Sequence, residues 1–312
     1  MSPEVAIRRL VAGDVAGLKG CFERCYGESY VVGDFYDPER LRERIASGRL
    51  RSVVAESADG QIVGHIGLTL RHPDARTVDA GNTVVDPRFR GRQIVVRLGL
   101  QLNALCADEG FLGYHHYPTT VHAIMQELSV ADEGTETGVM LAYIPAGTEY
   151  RELGGEPRSG RPAVTGVWRP FARCPARSVH VPRDYAEVTT VAYARAKLER
   201  EFGASAAEME VPDTTTIMDV RDDPRRDLLR CEVRRPGRDL VQAIGAAIGE
   251  RTVEVVQIDL PMSDPVTPAA ANALRKERFL FCAVLPEYLD GDVLRLQRLR
   301  GDALPRPNLV KR

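Results

Sequence analysis

The sequence predicts a mixed α/β protein built as two lobes, and three observations carry that expectation. Segments with the two-residue alternation of strands interleave with segments whose apolar residues recur at helical spacing. At 312 residues the chain is comfortable for two domains, each large enough to bury a core. The second half repeats the order of the first half's later elements, although no residue-level repeat is visible.

In chain order, Val5–Arg9 alternates like a strand, and Asp14 is placed to N-cap a helix carrying Val15, Leu18, Cys21, Phe22 and Cys25 on one face. Pro38 opens a second helix that ends near Gly48. Arg51–Ala55 and Ile62–Leu70 are β-like, joined by the hairpin signal Ala58-Asp-Gly60. Ala80–Val85 is a strand stopped by Asp86-Pro87. From Gly91 a helix follows, with Ile94, Val95, Leu98, Leu102, Leu105 and Cys106 sharing a face up to Gly110. Leu112–Thr119 reads as a strand, His122–Leu128 as a short helix and Gly138–Ile144 as a strand. The first ~145 residues thus give the order β-α-α-β-β-β-α-β-α-β.

Residues 151–161, rich in Gly, Glu and Pro, are the linker candidate, dividing the chain into 1–150 and 162–312. Beyond it come a strand at Ala163–Arg169, a helix at Asp184–Phe202, and strands near Thr215–Arg221 and Leu228–Val233. A helix at Asp239–Ile248, a strand at Val253–Leu260, a helix at Pro268–Glu277 and strands at Phe279–Leu285 and Asp292–Leu299 complete the chain.

Composition narrows the function classes. An apolar fraction of 44% and a net charge of −2 describe a soluble globular protein without a global field for nucleic acid or anionic membrane. No stretch approaches the ~20 apolar residues that span a bilayer, and the acidic Met1-Ser-Pro-Glu start is no signal peptide. Six scattered cysteines without CxxC spacing read as reduced thiols of a cytoplasmic protein.

The chemistry concentrates at Val84-Val85-Asp86-Pro87-Arg88-Phe89-Arg90-Gly91-Arg92-Gln93, between a strand and a long amphipathic helix. The first turn of such a helix offers unpaired N–H groups and the positive end of the macrodipole. Gly91 lets the backbone approach a phosphate, and Arg88, Arg90 and Arg92 add positive charge. A nucleotide-like pyrophosphate suits the junction.

This segment resembles motif A of the GNAT acetyltransferases, [Gln/Arg]-x-x-Gly-x-[Gly/Ala], with Arg88 and Gly91 in register. The order of elements over about residues 4–145 is similar too. The resemblance implies a GNAT acyl-CoA N-acyltransferase fold, with two such lobes in tandem and the second degenerate. It implies acetyl-CoA or another acyl-CoA as co-substrate, held in a V between two parallel strands and paired with the backbone of Val84 and Val85. Two departures stand out: Gln93 replaces the final Gly/Ala, and aligning on Gly134 puts Ala131 where the family carries an acid Tyr.

Catalytic candidates cluster at Tyr114, His115, His116, Tyr117, Thr120, His122 and Gln126, with His122, Tyr117 and His116 in front. His is the natural base near neutral pH, but His115 and His116 must point to opposite faces of a strand. The run Thr120-Val-His122 with Gln126 and Gly134 also resembles bacterial GNAT-like proteins in which Pro stands at Ala123. No carboxylate or Cys spacing makes a metal site of these histidines. Glu28, Asp34 and Asp79 are further base candidates through a water, and Tyr30, Phe35 and Tyr36 either wall an acceptor pocket or pack on the core. In the second half, Arg234-Arg235-Pro236-Gly237-Arg238-Asp239 occupies the corresponding junction, with its spacing displaced by Pro236. Trp168 is a candidate for the contact between lobes.

The leading expectation is an enzyme that transfers an acyl group from acyl-CoA to an amine of a small molecule or peptide. The alternatives are a transferase using aminoacyl-tRNA or a carrier-protein thioester, and a non-catalytic acyl-CoA-binding module. A net charge of −2 argues against tRNA. Oligomerisation stays open.

Overall fold

The computed structural model describes residues 5–151, 160–203 and 211–300. It divides into two compact units, Met1–Tyr117 with Ala146–Ser159, and Pro118–Pro145 with Gly160–Arg312. Both are mixed α/β.

The first unit opens with β1 (Val5–Arg9), α1 (Val15–Tyr26) and α2 (Pro38–Ala46). Asp14 does not cap α1 with its side chain: its carboxylate accepts from Val11 N–H and from Arg8, at 2.7 and 2.8 Å. Asp37, in contrast, caps α2 by accepting from the amides of Glu39 and Arg40, ahead of Pro38 at the first helical position. Next come β2 (Leu50–Ser57), β3 (Ile62–Thr69), β4 (Thr77–Val85), α3 (Ile94–Asp108) and β5 (Gly113–His116). The strands lie in the order β1-β2-β3-β4-β5, antiparallel except for β4 and β5, which run parallel as the intervening α3 demands.

Alternation along β3 assigns the helices to faces. A Cβ on Gly64 would meet Leu98 and Ile94 of α3 at 3.1 and 3.3 Å, whereas His65, one residue on, meets the rings of Phe22 and Phe35. Helix α3 buries Ile94, Leu98, Leu102, Leu105 and Cys106, and α1 buries Val15, Leu18, Cys21, Phe22 and Cys25 on the other face.

The second unit begins with α4 (Ile124–Ala131), β6 (Thr135–Met140), β7 (Val164–Pro170) and β8 (Arg177–Val179). It continues through α5 (Ala186–Arg195), β9 (Arg200–Phe202), β10 (Ile217–Asp223), β11 (Leu228–Arg235) and α6 (Leu240–Ile248). It ends with β12 (Val255–Pro261), α7 (Thr267–Lys276), β13 (Leu280–Leu285) and β14 (Val293–Leu299). Its sheet runs β7-β6-β13-β14-β12-β11-β10, and β8 and β9 form a separate parallel pair. Strands β11 and β12 are parallel around α6, as β4 and β5 are around α3. Strand β6 crosses β13 at Gly138↔Ala283, where a side chain on Gly138 would collide with the Cys282 carbonyl.

Two expectations need correction. The linker expected at 151–161 lies largely outside the described residues, and its flanks do not separate lobes. Strand β7 pairs antiparallel with β6, from Thr135↔Trp168 to Met140↔Val164, so the stretch connects two partner strands. Trp168 is fully buried within this second unit. The helix expected at Asp184–Phe202 ends at Arg195, because Lys197 takes a left-handed φ of 54° and the chain turns back into β9. All six cysteines are free and buried.

Candidate functional site

The β4–β5 register sets the geometry. Pairing runs from Thr77↔Gly113 to Ala80↔His116, and β4 then continues through Gly81–Val85 beyond its last partner. On its other edge β4 is bulged. Gly67 faces Gly81 and His65 faces Val84, so Asn82 and Thr83 together oppose Ile66. Asn82 adopts a φ of 56°, a conformation that costs a non-glycine residue about 1 kcal/mol. Its carbonyl accepts from His65 Nδ1 at 2.7 Å, and its Oδ1 accepts from the Tyr30 hydroxyl at 3.0 Å. A Cβ on Gly81 would meet nothing within 4 Å, so open space lies where β4 leaves β5.

Beyond β4, Asp86 shapes the loop. Its carboxylate, 1% exposed, accepts from the Arg88 amide at 3.0 Å and from the guanidinium groups of Arg88 and Arg24. Burial pushes this acid up, but the hydrogen bonds from Arg88 and Arg24 outweigh it and hold the pKa at about 2. Gly91 then takes φ +74° with no atom within 4 Å of a would-be Cβ, and Gln93 takes φ 55° as the N-cap of α3. The Gln93 side chain makes no capping bond, which leaves the first turn of α3 without a side-chain cap.

The three arginines of the loop differ in what they hold. Arg88 is engaged by Asp86, with Gln61 Oε1 at 3.2 Å. Arg90 donates to the carbonyls of Val85, at 3.3 Å, and Arg151, at 2.8 Å. Arg92 is exposed, stacked over Phe89 at 5.0 Å, with only a 3.4 Å contact to the Arg88 carbonyl. The expectation that all three face a phosphate therefore narrows to Arg92. The Val85 carbonyl also accepts from Cys25 Sγ at 3.5 Å. Val84 is buried in the α1 core cluster, and Val85 is half-buried.

The candidate catalytic residues separate. His116 and Tyr114 share a face of β5, ring to ring at 6.4 Å, and Tyr114 reaches Asn103 of α3. Tyr117 turns to the other side, where its hydroxyl donates to Asp79 Oδ1 at 3.4 Å; Arg71 donates to the same oxygen at 2.7 Å. The expectation that His115 and His116 point opposite ways holds, so Tyr117 and His116 do not share a site. His122 lies in the second unit, where its carbonyl and that of Thr119 accept from Gln126 Nε2. Asp34 is paired with Arg44 at 2.7 Å. Phe35 is core, stacked on Phe22 at 4.1 Å, and the Tyr36 hydroxyl accepts from Tyr30 N–H at 3.1 Å.

Sequence reasoning missed Asp86, His65 and Asn82. The signals were present: an acid two residues before Arg88, a lone His in the apolar run Ile62–Leu70, and an Asn inside a strand.

The corresponding junction of the second unit is filled by its own chain. Gly237 N–H donates to Thr216 Oγ1 at 3.0 Å, Arg238 N–H to the carbonyls of Pro212 and Thr214, and Asp239 Oδ1 accepts from Thr216 N–H at 2.7 Å. A side chain on Gly237 would collide with the Thr214 carbonyl.

No protein-family model matches the chain, nor does any curated protein. Among solved structures it is similar to a GNAT superfamily phosphinothricin acetyltransferase from Sinorhizobium meliloti in complex with AcCoA, at 18% identity over 54% of this chain and 89% of that one, with a TM-score of 0.43. It is also similar to an N-acetyltransferase from Staphylococcus aureus Mu50, at 12% identity over 54% and 98%, TM-score 0.43. A GCN5-related N-acetyltransferase from Kribbella flavida gives 19% identity over 54% and 98%, TM-score 0.39. No helix among the described residues is long and apolar enough to cross a membrane.

Proposed function

We propose that the first unit binds acyl-CoA and transfers its acyl group to an amine of a small molecule or peptide. The observation that carries this reading is the pairing of a parallel strand couple that parts at Ala80↔His116 with a helix N-terminus that no side chain caps. The amides after Gly91 and the dipole of α3 would hold the pyrophosphate, with Arg92 as the cation at hand. The pantetheine arm would lie along Gly81–Val85, where β4 has no β5 partner. The residues fit such a group: Gly91 and Gly81 leave open space, and α3 presents unpaired donors.

In the transfer, the amine nitrogen attacks the thioester carbon, the C–S bond breaks, and the thiolate of CoA departs and takes a proton. Tyr117 is the group the geometry favours as donor of that proton. Arg71 neutralises Asp79, so Asp79 orients the phenol rather than collecting the proton of the ammonium. The backbone around Thr83–Val85 lies along the thioester path, and holding both substrates there supplies much of the rate.

Thermal unfolding of the full chain with acetyl-CoA tests the reading. A ligand at a hundred times its Kd stabilises by about 2.7 kcal/mol, so the melting temperature rises by a few degrees. Unchanged melting at millimolar acetyl-CoA would sink it. Release of free thiol from acetyl-CoA with a panel of amines then separates an enzyme from a module that only binds.

A further inference from the structure

The bulge in β4 is gripped from two sides, by side chains that the transfer chemistry does not use. Asn82 is the extra residue, and it is a non-glycine held at φ 56°. Its carbonyl is met by an imidazole instead of a strand partner: His65 Nδ1 lies 2.7 Å away, and a carbonyl only accepts, so Nδ1 carries the proton. The ring is fully buried between Phe22 and Phe35, with centroids at 5.7 and 5.3 Å, and its Nε2 has no hydrogen-bond partner. A leucine would fill an aromatic pocket without leaving a nitrogen unmet, so packing alone does not account for histidine. The bond to Asn82 does. From the segment between α1 and α2, the Tyr30 hydroxyl donates to Asn82 Oδ1 at 3.0 Å. The grip sits two residues past Ala80, the last β4 residue paired to β5.

We infer that His65 and Tyr30 are positioning residues that lock the β4 bulge and thereby hold the donor groove open. They act through Asn82 and do not touch the donor. Without the lock, Asn82 relaxes toward ordinary strand geometry and β4 closes toward β5 over the path of the pantetheine arm. The inference rests on the donor reading of the groove.

The test is calorimetric binding of coenzyme A to the purified full chain and its variants, with melting temperature recorded for each. His65→Leu is expected to weaken binding about tenfold. His65→Asn, whose amide N–H reaches the same carbonyl, stays within about threefold of the parent. Tyr30→Phe, which removes the second grip and leaves the ring packing in place, falls between them. Adding Asn82→Gly to His65→Leu restores binding, because glycine takes the positive φ unaided. A merely structural histidine predicts no rescue by either asparagine or the glycine. Folded His65→Leu with parental affinity overturns the inference, as does His65→Asn as weak as His65→Leu at equal stability. If His65→Leu does not fold, Tyr30→Phe with unchanged affinity overturns it. A parent that does not bind coenzyme A removes the donor reading first, and the inference with it.

Discussion

The two βα junctions of this chain differ in what meets the helix N-terminus. Both follow a strand that runs parallel to the one after the helix, and both strands carry an extra residue just before the loop. On β4 it is the Asn82–Thr83 bulge, and on β11 it is Arg234, which separates the pairs Met218↔Val233 and Ile217↔Arg235. At α3 the loop opens on a bare first turn, with Gly91 and Gln93 in left-handed conformation. At α6 the donors of Gly237 and Arg238 and the carboxylate of Asp239 are engaged by Pro212–Thr216. One scaffold thus serves two ends: a helix terminus left for an outside anion, and a terminus satisfied from within.

That contrast can be broken at several points. The largest expected effect is on stability against pH in the first unit. Burial lowers the His65 pKa from 6.5 to about 4. Above pH 6.5 both folded and unfolded chains hold this imidazole neutral. As pH falls from 6.5 to about 4 the unfolded chain gains a proton that the folded one refuses, so stability present at neutral pH is lost over that window. The loss approaches about 3 kcal/mol at pH 4. Denaturant titrations at pH 7 and 4.5 check it, and His65→Asn should flatten the difference.

Asp86→Asn comes next. It removes the carboxylate that binds the Arg88 amide and two guanidinium groups. Both arginines are partly exposed and screened by water, so the expected loss is about 2 kcal/mol, with coenzyme A affinity falling as the loop loosens. Stability unchanged by this substitution would deny Asp86 its role. Gly237→Ala should cost a similar amount, about 1–3 kcal/mol, because its Cβ has no room beside Thr214. Coenzyme A affinity should not change, since that junction takes no donor. The smallest effect is Gln93→Gly, which removes left-handed strain from a side chain that makes no cap. A gain of about 0.5–1 kcal/mol is expected from the melting temperature.

The sequence made the element order legible because periodicity reports which residues a strand or helix buries. The α3 stripe and the Pro38 start were read correctly on that basis. What escaped depends on pairing across distance. The Gly/Pro-rich stretch at 151–161 reads as a linker until β6 and β7 are seen to pair. Strands β8 and β9, three residues each, are too short to show alternation. The donor loop was placed by its Gly and by the strand–helix switch, but its arginines were counted as phosphate ligands without the competing acid. Asp86 binds Arg88 at closer range than any loose anion would, and that follows from burial, which composition does not record.

Isothermal titration of coenzyme A into the full chain tests the central claim most directly. One site per chain is expected, abolished by Gly91→Val, whose branched side chain cannot adopt φ +74° without strain, and retained in Gly237→Ala. Two sites, no site, or a single site that survives Gly91→Val would contradict the account.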